Sequence, residues 1–276
     1  QLLDTLAPGE VDALVRDVAR RVGAAVVHLD NQPARWEGRA NPFAASPCSF
    51  VTANDTFVVR FAEDFQGHYK RLFSGRTLSG LKRKQRKLEE MGAVSFAAPA
   101  DLESKRQVID WFVAQKSVQL AQDGRESPFD DACIRDLYQA LAEDQTAFEV
   151  DQLRVGGTLV AMGMTAYRGN TAYLLNTVHS GAEFARCSPG ALLLHRMVAR
   201  AHQRGARVYD FGPGLLPYKL EWEPEVVPLV STTYLVKPSG LHVHAASIFA
   251  VLAKAKIKRS PRMSEIVRKV RRFLAK

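Results

Sequence analysis

Residues His179 to Trp222 read HSGAEFARCSPGALLLHRMVARAHQRGARVYDFGPGLLPYKLEW. Ser188 before Pro189 is a helix start, because proline needs no amide partner in the first turn and serine can cap it. The helix predicted from there runs through Arg204, and Gly205 ends it. Arg207–Phe211 is a strand, and its Asp210 leads into the turn Gly212-Pro213-Gly214. The amides at a helix N-terminus and the positive end of its dipole favour an anion. Gly190 lets such a group approach the backbone, and no acid stands in the first turns to compete for it.

Reading upstream, Phe148–Val155 and Leu159–Tyr167 flank Gly156-Gly157, a strong hairpin signal. A second turn at Arg168-Gly169-Asn170 leads to Thr171–Val178, so three consecutive strands are antiparallel. Before them come a strand at Val94–Ala97, a long helix capped by Asp101 or Ser104 and running through Leu120, and another helix at Asp130–Leu141. Val108, Trp111, Phe112 and Val118 mark the buried side of the long helix. Downstream, Val226–Val236 is the last clear strand. The first sixty residues give a helix at Glu10–Arg21, strands at Ala24–Leu29 and Thr56–Phe61, and a loop from Asn31 to Pro47. Helices and strands mix throughout, so the fold class is α/β (α+β).

The chain has 276 residues, 46 % hydrophobic and 24 % charged, which is globular composition. Its net charge is +9, and ten bases against one acid from Leu252 onward account for all of it. The fold proper is therefore neutral, which argues against a uniformly basic nucleic-acid-binding surface. Met263, Ile266, Val267, Val270, Phe273 and Leu274 place an apolar stripe on one side of that basic tail. Two readings fit the tail: a helix docked on its own domain, or a membrane-surface contact. Lys82, Arg83, Lys84, Arg86 and Lys87 form the densest internal basic run, read either as a solvated linking helix or as a cationic face for a phosphate-rich ligand.

Three scattered cysteines suit neither a disulfide framework nor a zinc site, and Ala245–Ala253 is too short an apolar run to span a membrane. These features point to a soluble chain from a reducing compartment. The start at Gln1 without methionine, with acids close behind it, suggests a chain that begins inside a longer protein.

SPG, a helix ending in Arg-Gly, YDFGPG, then YK and W together resemble the CelD/BcsL-like acyltransferases of the GNAT superfamily, which are akin to the Fem peptidyltransferases. The resemblance covers about residues 66–236, and Lys82–Gly92 is similar to the family's basic segment. It implies a mixed, mostly antiparallel sheet flanked by helices and splayed between the strand before Ser188 and the strand at Arg207–Phe211. It also implies that residues 1–65 are the end of a preceding GNAT-like lobe, 66–92 a basic linking helix, 93–240 the acyltransferase domain, and 241–276 basic amphipathic helices.

The same resemblance implies acyl-CoA (acetyl-CoA) as co-substrate and no metal. Ser188, Gly190, Ala191 and Leu192 would receive the donor's pyrophosphate, and a small-molecule or glycan amine would attack the thioester. Asp210 is the candidate for acceptor positioning or base work, and Tyr218 is the candidate acid for the departing thiolate. Lys219, Trp222 and Tyr209 are candidates for substrate binding. The superfamily's donor loop reads Gln/Arg-x-x-Gly-x-Gly/Ala. With its glycine on Gly190, Cys187 and Leu192 occupy the other two places and match neither. An aminoacyl-tRNA donor of the Fem kind is therefore a second reading, though tRNA is the lesser partner. A non-catalytic module of a polysaccharide-synthesis complex is a third. The expected location is cytoplasmic, peripheral at the inner face of the membrane.

His179 stands just before the donor loop, as a base candidate or a polar strand end. His195 and His202 share a helix face without a third ligand at useful spacing. His242 and His244 read as structural, Cys187 as incidental, and Gly156-Gly157 as a turn rather than a phosphate loop.

Overall fold

The computed structural model describes residues 7–259, apart from Glu37 and Gln145. In chain order the elements are α1 (Pro8–Arg21), β1 (Val26–Pro33), β2 (Arg35–Trp36), β3 (Arg39–Ala40), β4 (Ser49–Arg60), α2 (Phe65–Leu72), α3 (Gly75–Glu89), β5 (Val94–Ala97), α4 (Leu102–Gln122) and α5 (Ala132–Leu141). They continue with β6 (Phe148–Val155), β7 (Thr158–Arg168), β8 (Thr171–His179), α6 (Ala182–Ala185), α7 (Pro189–Gln203), β9 (Val208–Pro213), α8 (Pro217–Leu220), β10 (Glu225–Leu235) and α9 (Leu241–Arg259). The mostly antiparallel sheet flanked by helices is the α/β class read from the sequence.

By contacts the described residues form two units, one of residues 7–57, 213–215 and 226–259, the other of residues 58–212 and 216–225. In the first, β10 lies between β1 and β4, antiparallel to β1 from Val26↔Leu235 to Pro33↔Leu229. The sequence division put residues 226–236 with the acyltransferase domain; by contacts they group with β1. Asp12 of α1 accepts from the Tyr234 hydroxyl at 2.7 Å and from Ser46 at 3.0 Å, which ties the helix to the face that carries Tyr234.

The second unit carries the expected three-strand meander. β5, β6, β7 and β8 pair antiparallel in that order, and β9 joins β8 in parallel. Gly156 and Gly157 have φ of 56° and 82°, the left-handed pair that a two-residue hairpin with the right strand twist requires. Side chains alternate faces along a strand. Phe148 and Val150 of β6, Met162 and Met164 of β7 and Val178 of β8 pack with Val108, Ile109 and Phe112 of α4. Fully burying each such side chain stabilises by roughly 1.5–3 kcal/mol.

The opposite face receives α7. Gly163, between the two methionines of β7, makes room for it: a Cβ there would stand 2.4 Å from Met197 Sδ. Farther along α7, Arg200 donates to Asp151 at 2.7 Å and lies 3.5 Å from Glu149. Arg204 pairs with Glu149 and sits 4.4 Å over the Tyr167 ring, whose hydroxyl donates to Glu149 at 2.7 Å. Burial raises Asp151 to about 6, with the Arg200 guanidinium opposing the rise. This network fixes α7 along the sheet and so fixes where its N-terminus points.

The segment read as one linking helix at 66–92 is two helices. Phe73 is buried between them, and Ser74 caps α3 by accepting from the Thr77 amide at 3.2 Å. No helix among the described residues is long and apolar enough to cross a membrane.

Candidate active site

The β8–β9 ladder holds at Thr171↔Val208, Ala172↔Tyr209 and Tyr173↔Asp210, and then stops. Both strands run on, β8 to His179 and β9 to Pro213. Pairing with β7 also shifts beyond this point: Met164 faces Asn176 while Thr165 faces Leu174, so Leu175 is an inserted residue. A bulge of this kind bends its strand and ends regular pairing, and such bulges recur beside active sites. Past the last pair the Gly212 amide and carbonyl turn to side chains, the amide donating to Asp210 and the carbonyl accepting from Lys219. An opening between two strands of one sheet is thus built into the register.

The corner before α7 stands at the end of β8. Ser188 has φ 49° and ψ 57°, a left-handed conformation uncommon for a residue with a side chain. Its carbonyl accepts from the Ala191 amide at 3.0 Å and the Leu192 amide at 3.2 Å. Pro189 has no amide to donate, so Gly190 is the first α7 residue with an N–H, and it makes no hydrogen bond with the described residues. No acid occupies the first turn. Ser188, Gly190 and Ala191 are half-buried, whereas Cys187, Pro189 and Leu192 are buried. The exposed His179 lies against the corner: a Cβ on Gly190 would stand 3.3 Å from its ring. Its Nδ1 is 3.1 Å from the Ser180 carbonyl.

Across the opening, Asp210 accepts from the Gly212 amide at 2.8 Å. Lys219 donates to the Gly212 carbonyl at 2.8 Å. Burial lowers the Lys219 ammonium to about 8, and the Asp210 carboxylate opposes that fall. Asp210 and Lys219, nine residues apart in sequence, therefore form one charged pair held at the end of β9. Tyr209 and Phe211 point to the opposite side from Asp210 by strand alternation. Tyr209 is fully buried, its phenol raised by that burial, and Thr165 faces its hydroxyl. Tyr218 is half-buried, its ring 6.4 Å from Phe211, and burial raises its phenol as well.

Trp222 is only 2 % exposed. Its ring lies 4.8 Å from Phe73, 4.9 Å from His195 and 5.7 Å from Phe211. His195 is lowered to about 4 by burial, with a further push from Lys84, so it is neutral. Its Nδ1 lies 2.8 Å from the Tyr69 hydroxyl. Tyr69 and His195 come from α2 and α7 and share no local pattern, so sequence reading missed the pair. The structure gathers the candidates into three sets: His179 with Ser188 and Gly190, Asp210 with Lys219, and Tyr209 and Trp222 within aromatic packing. A cavity of about 390 Å³ at the start of α4 and β6 touches none of them. Among the described residues no group of three or more His, Cys, Asp or Glu is placed to hold a metal ion.

Residues 75–220 match the acetyltransferase (GNAT) domain family. The chain belongs to that family. It is accordingly an acyltransferase, and the match spans α3 through α8, including the strand opening and the α7 corner. No curated protein sequence matches. FemX is similar in fold with a TM-score of 0.58 at 11 % identity, over 86 % of this chain and 79 % of that one. The C-terminal domain of a lysylphosphatidylglycerol synthetase candidate from Agrobacterium fabrum gives 0.55 at 14 % identity, over 88 % and 77 %. L-PGS from Bacillus licheniformis gives 0.51 at 12 % identity, over 88 % and 78 %. At these identities the likeness is one of fold.

Proposed function

We propose that this GNAT domain transfers an acyl group from an acyl-thioester, acyl-CoA, to a primary amine. The observation that carries the reading is the β8–β9 ladder ending at Tyr173↔Asp210 while β8 runs on to His179, which lies against Gly190 at the α7 N-terminus. An extended donor bearing amides would lie along β8 where its pairing with β9 has ended, as a peptide does when it adds to a sheet. Its diphosphate would meet the Gly190 amide and the α7 dipole, with Ser188, Ala191 and Leu192 shaping that turn. Chemistry then needs little from the protein. The neutral amine nitrogen attacks the carbonyl carbon, the carbon–sulfur bond breaks, the nitrogen gives up a proton, and the thiolate takes one.

In this reading Asp210 holds the amine and Lys219 fixes Asp210. A carboxylate already bound to the Gly212 amide, with the Lys219 charge near it, suits positioning more than free proton exchange. Tyr218 supplies the proton to the leaving thiolate, and His179 takes one from the acceptor. Tyr209 and Trp222 act on substrate through the packing beneath it. The CelD/BcsL-like resemblance suggests an amino sugar of exopolysaccharide or cell-envelope metabolism as acceptor. The basic tail suggests a cytoplasmic site of action against the inner face of the membrane. The tail stripe Met263–Leu274, read as a membrane contact, lies outside the described residues.

A second reading has its own support. Cys187 and Leu192 depart from the superfamily's donor loop, and two of the similar folds are FemX and a lysylphosphatidylglycerol synthetase candidate. An aminoacyl-tRNA of the Fem kind would then be the donor.

Thermal unfolding with millimolar coenzyme A, against unacylated and aminoacylated tRNA, separates the two. A ligand that binds only the folded state raises Tm by mass action. A rise with coenzyme A that Gly190→Glu removes supports the thioester. A rise with aminoacyl-tRNA alone overturns it.

A further inference from the structure

From Phe65 to Leu88 the sequence FQGHYKRLFSGRTLSGLKRKQRKL carries eight lysines and arginines and no acid. This is α2, the buried Phe73, and nearly all of α3. Lys70, Arg71, Arg76, Lys82, Arg83, Arg86 and Lys87 are all exposed, and none forms an ion pair with the described residues. Lys82 and Arg86, like Arg83 and Lys87, stand one turn apart, where like charges repel. Glu89 and Glu90 close α3 within one turn of Arg86 and Lys87, whereas Lys82 and Arg83 have no acid at that spacing. Their buried counterpart is small: Leu88 is the one buried residue of α3.

Exposed apolar side chains stand on the loop whose Trp222 packs against Phe73. Leu216 and Leu220, 48 % and 51 % exposed, precede Trp222. The Trp222 ring packs 4.8 Å from Phe73, immediately before α3 begins. Met91, just past the other end of α3, is 43 % exposed. Glu221 and Glu223 on the same loop pair with none of the cations. A nucleic-acid backbone would use the charges but leave exposed leucines without purpose. Unpaired cations next to protruding leucines are the chemistry of an anionic lipid surface, where the cations meet headgroups and the apolar side chains enter the acyl boundary.

We propose that the α2–α3 face, with Leu216 and Leu220, docks this unit on an acidic phospholipid surface. The proposal is independent of which donor the site takes, and it uses none of the tail residues.

The test is co-sedimentation of the full chain with phosphatidylcholine vesicles with and without about 30 % phosphatidylglycerol. Binding is expected only with the acidic lipid and is expected to weaken with salt. Lys82→Glu/Arg83→Glu/Lys87→Glu should lower it at least about tenfold. The milder Lys82→Gln/Arg83→Gln/Lys87→Gln guards against misfolding, with thermal melts of both. Leu216→Ser/Leu220→Ser should weaken binding while keeping its salt dependence. Reversing Arg268, Arg271 and Arg272 to glutamate isolates the tail. Binding that survives both α3 variants and vanishes with the tail variant overturns the proposal. So does a parent that ignores acidic vesicles yet binds tRNA.

Discussion

Tyr173 and Asp210 are the last residues at which β8 and β9 meet in register. The carboxylate therefore sits where the sheet begins to open, backed by the Gly212 amide and Lys219.

Asp210→Asn keeps the side chain's shape and removes its charge. Turnover should fall well beyond tenfold, with Tm within a few degrees of the parent. Steady-state kinetics beside thermal melts decide it, and unchanged turnover removes Asp210 from the reaction.

The neutral His195 makes stability depend on acid. Its folded pKa of about 4 lies below the ordinary 6.5 of the unfolded chain. Between those values the unfolded state binds the proton and the folded state refuses it. Stability is thus complete above pH 6.5 and declines as pH falls toward 4, by about 3 kcal/mol for this group. In urea titrations the parent's stability relative to His195→Phe should decline as pH drops from 6.5 to 4.

Tyr69→Phe deletes the hydroxyl 2.8 Å from that buried imidazole. Leaving a buried polar nitrogen without its partner costs about 1–3 kcal/mol, readable as a lower urea midpoint at unchanged slope.

Arg200→Met leaves Asp151, 8 % exposed, without its nearest cation. The variant should lose about 3 kcal/mol at neutral pH. Asp151 is already raised to about 6, and losing Arg200 raises it further, so it takes up a proton as pH falls. The deficit should grow as pH rises above 6 and level off below it, where both proteins carry the proton. A deficit that is flat with pH would mean the loss is packing alone.

Much of this was legible in local sequence. Gly156-Gly157 announces its hairpin because only glycine tolerates that turn cheaply. Ser188-Pro189 announces α7, and RVYDF announces β9. What stayed hidden depends on distant partners. β10 pairs with β1 from the far end of the chain, and nothing within Val226–Val236 encodes that choice. The break at Phe73 was masked by a basic run that looks helical on both sides. In the site, Asp210 and Lys219 were named singly; their pairing became visible only once the turn at Gly212 folded Lys219 back. Tyr69 lies 126 residues from His195, so no spacing rule connects them.

The parallel join of β8 to β9 has a kinetic consequence. Parallel neighbours cannot meet through a tight turn, so Thr171 and Val208 come together only after α7 has crossed back over the sheet. Loop closure of that length is slow compared with zipping the β6–β7–β8 hairpins. The meander should acquire hydrogen-exchange protection early in refolding and the Thr171–Tyr173 edge late, so the chain joins β9 to β8 as one of its last acts.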